Sequence, residues 1–143
     1  MAIVYEVIDV PFPKIQRGDV NRWIKEIVYA YHDKKLGVIS FVFCSDDEIL
    51  RINNLYLHHD YYTDIITFDY SQGKTVSGDL FISLDTVKSN SEKYETDYYD
   101  ELRRVMIHGI LHLCGFNDKT FAERQTMRQK EDEALTVWNL SMM

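Results

Sequence analysis

A chain of 143 residues carrying a net charge of −7 is the size of one domain, and its 45% hydrophobic and 27% charged content is that of a soluble globular fold. The negative balance argues against a protein that grips nucleic acid by bulk charge, while leaving room for a local basic patch. No run reaches the length of a membrane span, the first ten residues carry acids where an export signal needs basic residues, and two cysteines (Cys44 and Cys114) do not suggest a disulfide framework, so the expected location is the cytoplasm.

Residues 3–10 read as an edge strand, stopped by Pro11 and Pro13. Asp19 is placed to cap a helix over about 20–35, with Val20, Trp23, Ile24, Ile27, Val28 and Tyr31 at helical spacing and Gly37 to end it. Residues 38–44 are β-branched and aromatic, the composition of a buried strand. Ser45 or Asp46 then caps a short helix with Ile49, Ile52 and Leu55 facing inward. Residues 64–70 predict a third strand, and a turn through residues 71–74 leads to a fourth at 78–83. Helices over about 84–95, 98–114 and 120–139 complete the chain. The expectation is one α/β domain: a small mixed sheet of about four strands packed with about five helices.

The helix at 98–114 carries the chemistry. His108 and His112 lie four apart, so a helix puts both imidazoles on one face. Gly115 follows at a position suited to a left-handed turn that ends the helix, and the returning chain delivers Asp118. Two imidazoles and a carboxylate converging on one point, with positions left open, are the mark of a catalytic zinc site. The offsets match the His-x3-His-x2-Gly-x2-ligand pattern of metzincin proteases, with aspartate in place of the final histidine. Zincins place a general-base glutamate directly after the first histidine, and here that position is Gly109, which opposes ordinary peptide hydrolysis. Glu101, two turns before His108 on the same helical face, is a candidate catalytic or ligand-orienting group; a carboxylate favouring the start of the helix reads equally well. Compared with three imidazoles, a set holding Asp118 leaves a zinc site with one unit less positive charge and the water it activates less acidic. Arg103, Arg104, Arg124, Arg128 and Lys130 flank the motif, and the plain reading of such a run is a solvated helix face.

These residues resemble a known family. The stretch His108-Gly-x-Leu-His-Leu-x-Gly115 resembles the signature of the YbeY family of rRNA-maturation endoribonucleases. Asn53 followed by Thr63-Asp64-Ile-Ile-Thr-Phe68, and the segment Gly78-Asp79-Leu-Phe-Ile-Ser83, are similar to two further family segments, and Glu101 falls at the family's glutamate just ahead of the histidine helix. The matches run in the family's order from about residue 45 to 119. The resemblance implies an α/β fold, one zinc ion held by His108, His112 and Asp118, and a hydrolase of single-stranded RNA. Its expected role is maturation of the 16S rRNA 3′ end and ribosome quality control, with the ribosome or ribosomal proteins as partners. Two positions depart from the family pattern. Asp118 stands where the family usually has a third histidine, and aspartate is an acceptable zinc ligand. Leu57 stands where it usually has an arginine proposed to meet RNA phosphate, so that interaction is weaker or has moved, with His58, His59, Lys74, Arg103 and Arg104 as the candidates. Two rival readings stay open: a metzincin-like zinc hydrolase of another substrate, and a ribosome assembly factor whose zinc is structural. In the ribonuclease reading, residues around Thr63, Asp64 and Ser83 line the cleft.

Overall fold

Alternation of side chains along the strands sorts the sheet into two apolar faces, and the helices divide between them. The computed structural model describes residues 2–31, 33–58 and 63–143. Four strands, β1 (Ala2–Ile8), β2 (Lys35–Cys44), β3 (Ile65–Asp69) and β4 (Thr75–Ser83), pair in the order β1-β2-β4-β3. The β1–β2 and β2–β4 pairs are parallel and β3–β4 is antiparallel, so the sheet is mixed, with β1 and β3 at its edges. Five helices, α1 (Arg17–Ala30), α2 (Asp46–Leu57), α3 (Leu84–Lys93), α4 (Tyr98–Leu113) and α5 (Phe121–Ser141), complete the expected α/β domain. No helix is long and apolar enough to cross a membrane among the described residues.

The main core joins Ile39, Phe41 and Phe43 of β2 and Leu80 and Ile82 of β4 to apolar residues of α1, α3, α4 and α5. The alternate positions turn the other way. Cys44, Ile66, Phe68 and Phe81 meet Ile49 and Ile52 of α2 in a smaller cluster. The helix α4 lies at the centre of the larger layer, with Leu102, Met106, Ile107, Ile110 and Leu111 fully buried. Its polar positions, His108 and His112, are therefore held on a rigid, well-packed scaffold.

Several local expectations are corrected. The helix α1 spans Arg17–Ala30, and Asp19 lies inside its first turn; Gln16 is the N-cap residue. Gly37 does not end α1 but sits in β2, at an irregularity in the β2–β4 register, where an added Cβ would fall 2.1 Å from Ser77 Oγ. Close interstrand approach, not helix termination, requires glycine there. Ser45 caps α2 by accepting from the Glu48 amide, but Leu55 is exposed because α2 buries only Ile49 and Ile52 of its apolar positions. Ser83 is completely buried and caps α3, so it takes no part in the cleft.

Candidate active site

The site forms where the second half of α4, the turn after it and the edge strand β3 come together. Asp97 caps α4 by accepting from the Tyr99 and Asp100 amides. At the other end the Gly115 N–H reaches the His112 carbonyl at 3.0 Å and the Phe116 N–H reaches the Leu111 carbonyl at 3.1 Å. These are the paired bonds of a Schellman ending, and they require the positive φ of +106° that Gly115 adopts. Phe116 then packs on Tyr31, the C-cap residue of α1, with ring centroids 5.3 Å apart. Beyond the turn, Thr120 and Glu123 make a reciprocal capping box that starts α5. The loop bearing Asp118 is thus fixed at both ends.

His108 Nε2 and Asp118 Oδ2 lie 3.2 Å apart. His112 lines the same cavity of about 290 Å³, together with Asn53, Leu57, Thr63, Asp64 and β3. Each imidazole is oriented by a partner on its other nitrogen. His108 Nδ1 donates to Glu131 Oε2 at 2.7 Å, and His112 Nδ1 donates to the Phe116 carbonyl at 2.9 Å. A carbonyl can only accept, so His112 Nδ1 carries the hydrogen and Nε2 is left as the lone-pair atom. Glu131, ion-paired to Arg104 Nη1 at 2.9 Å, fixes His108 the same way. His108 Nε2 and a carboxylate oxygen, both acceptors, then face each other at hydrogen-bond distance. Only a cation between them, a proton or a metal, relieves that opposition.

The surrounding charges act in the same sense. Burial works against protonation of His108, but the Glu131 hydrogen bond and the charges of Glu131, Asp118 and Asp64 outweigh it and hold the imidazole above its ordinary range. Burial raises the Asp64 carboxyl, with His108 pulling the other way. Burial also raises Glu101, partly offset by Arg104.

The fit to a metal can be judged on distance. Two ligands of one tetrahedral zinc, each about 2.0–2.2 Å from it, lie about 3.3–3.6 Å from each other. The 3.2 Å separation of His108 Nε2 and Asp118 Oδ2 is close to that edge. Among the described residues no group of three or more His, Cys, Asp or Glu side chains is close enough together to hold a metal ion as it stands. The set is a poised pair with His112 beside it, and its donor chemistry suits zinc.

The structure brings His108, His112 and Asp118 to one cavity, and Thr63 and Asp64 join them. Glu101 is not among those residues. It lines an adjoining cavity with Asp64, His108, Asp118 and Glu131, and the acid that touches His108 is Glu131. Sequence reading missed Glu131, although a signal existed: it occupies the apolar stripe of α5 with Met127, Ala134 and Trp138, where a lone acid needs a buried partner. Two of the candidate phosphate-binding cations are otherwise engaged. Arg103 pairs with Asp100 and stacks on Trp138, and Arg104 pairs with Glu131 and Asp132. Lys74 lines a separate cavity with Asp33, Lys34 and Lys35. His58 is exposed at the C-cap of α2, and His59 lies outside the described residues.

Comparison with known proteins identifies the fold and the family. A solution structure from Thermotoga maritima shares the fold, with a TM-score of 0.64 at 22% identity, covering 96% of this chain and 93% of that one. A protein of Azobacteroides pseudotrichonymphae named Endoribonuclease YbeY is 58% identical over 94% of this chain and 96% of its own length. Proteins of the same name from Parabacteroides distasonis and Bacteroides thetaiotaomicron are 56% and 53% identical, each over 96% of this chain and over 96% and 99% of their own lengths. The family described as Endoribonuclease YbeY matches residues 10–139, and the chain belongs to that family.

Proposed function

We propose that this protein is a zinc-dependent endoribonuclease that hydrolyses phosphodiester bonds of single-stranded RNA, acting in the cytoplasm on the 16S rRNA 3′ end and on ribosomes under quality control. The observation that carries the reading is the opposition of His108 Nε2 and Asp118 Oδ2 at 3.2 Å beside His112, in a chain whose relatives are named endoribonucleases. His108, His112 and Asp118 are the residues that would hold zinc, which when bound would supply Lewis-acid polarisation of a phosphate oxygen and a more acidic water. The chain's own groups do the rest. Glu131 and the Phe116 carbonyl take the two Nδ1 hydrogens and so orient the rings with Nε2 as the atom left for a cation. Asp64, held above the ordinary carboxylate range by burial and lining both cavities at the His108–Asp118 pair, is the group placed to hold a proton at its carboxyl oxygen. The edge strand β3 and the Leu57 side chain form a wall with no lysine or arginine among the described residues, suited to bases and sugars.

Purified zinc-loaded protein tested on single-stranded RNA decides this. Cleavage is expected, and the His108→Ala/His112→Ala double variant abolishes it. Cleavage no greater than that of the double variant would sink the nuclease reading. Mapping 16S rRNA 3′ ends in a deletion strain tests the biological role: unprocessed ends are expected, and normal ends would remove the rRNA assignment. Leu57, where a cation is expected, favours a second reading, an assembly factor with structural zinc. Rescue of such a strain by the metal-free double variant would select it.

A further inference from the structure

We propose that the cavity between α3, α4 and α5 is a phosphate-binding subsite of the same active site, with Arg128 as the side chain that pairs with the RNA backbone. This rests on the ribonuclease reading and adds to it where the strand's charge is met. The cavity, about 300 Å³, is lined by Asn90, Tyr94, Glu101, Arg104, Arg128 and Glu131 together with Asp64, His108 and Asp118. The last three also line the first cavity, so one groove passes the His108–Asp118 pair from Leu57 on one side to Arg128 on the other.

The two halves of that groove differ in charge. The Leu57 half has no lysine or arginine among its described lining residues, whereas the other half has Arg104 and Arg128. Arg104 is committed, with both terminal nitrogens on carboxylates. Arg128 is not. Its side chain is 66% exposed, and its ion pair with Glu131 is stretched to 4.0 Å, because Glu131 is already held by Arg104 and His108. Three other basic residues flanking the histidine motif point elsewhere. Arg103 pairs with Asp100, Arg124 donates to the Lys119 carbonyl, and Lys130 reaches Glu133 beside a cavity against α1.

Four carboxylates share the Arg128 cavity, and all of them are less exposed than the guanidinium. Glu131 is buried and Asp64, Glu101 and Asp118 are partly buried, while Arg128 and Tyr94 are exposed at the mouth. A phosphate at the mouth meets the cation before the acids. Tyr94 adds an exposed ring there on which a base can stack. The flank of the groove opposite the apolar Leu57 thereby carries the cation, on α5.

Anisotropy titrations of the full chain with a labelled single-stranded RNA oligonucleotide, between about 50 and 200 mM salt, test this. Arg128→Gln is expected to weaken binding about five- to tenfold, equally for different base sequences. It should also make the slope of log affinity against log salt shallower by about 0.7, the value for one fewer neutralised phosphate on a single strand. Arg128→Lys keeps the slope, and Lys130→Gln, on the same helix but facing α1, changes neither quantity. An unchanged slope in Arg128→Gln, or an equal weakening in Lys130→Gln, overturns the subsite alone. Wild-type protein that binds no RNA overturns both this proposal and the ribonuclease reading.

Discussion

Glu131 Oε2 receives the Nδ1 hydrogen of His108 at 2.7 Å, across 23 residues of sequence, and the same carboxylate is clamped by Arg104. A buried acid with two such partners sets the ring's tautomer and its rotation together. Glu131→Gln keeps the shape and removes the charge. Zinc affinity is expected to fall about 10- to 100-fold, read by competition with a chromophoric chelator. Affinity equal to wild type would mean that the hydrogen bond only packs α5 on α4.

Asp118 is the ligand position with most at stake. Asp118→Ala is expected to lose zinc at low free metal, and full occupancy there would remove it from the ligand set. Asp118→His keeps a donor, raises the charge of the loaded site by one and is expected to move the activity optimum to lower pH. A pH–rate profile that superimposes on wild type would refute the electrostatic argument.

Gly109 has a packing role in addition to lacking the zincin glutamate. A Cβ there would lie 2.8 Å from Ile65 Cδ1 and 3.1 Å from both Leu80 methyls, since α4 meets the sheet at this point. Gly109→Ala is expected to cost no more than about 1 kcal/mol in chemical denaturation, because the Ile65 and Leu80 methyls can shift and alanine favours the helix. Gly109→Glu should be worse and should not create a general base, because that side chain would enter the core. A stable, folded Gly109→Glu variant would contradict the packing.

The Glu101 carboxyl is held above its ordinary range chiefly by burial. Its folded form therefore binds a proton more tightly than its unfolded form, and stability from this group is lost as pH rises through the window between the two pKa values. Glu101→Gln removes that pH-dependent penalty. The variant should gain stability relative to wild type near pH 7 and no more than match it at about pH 4 or below. Urea denaturation at the two pH values checks this, and the opposite ordering would be decisive against it.

Local pattern determined much of this protein. Helical spacing and the Gly115 turn made α4, His108, His112 and Asp118 legible, because helix periodicity and a left-handed turn are encoded by neighbours in the chain. Short runs bounded by turn residues specified β3 and the second half of β4, whose strand begins earlier, at Thr75. Leu55 and Gly37 misled because their roles depend on what packs against them: α2 covers only a small face of the sheet, and β4 crowds β2 at Ser77. Glu131, the pairing of Arg104 and the release of Arg128 were decided only by tertiary structure. Their partners lie on different helices, and a hydrogen bond or ion pair between α4 and α5 exists only once both helices pack on the sheet.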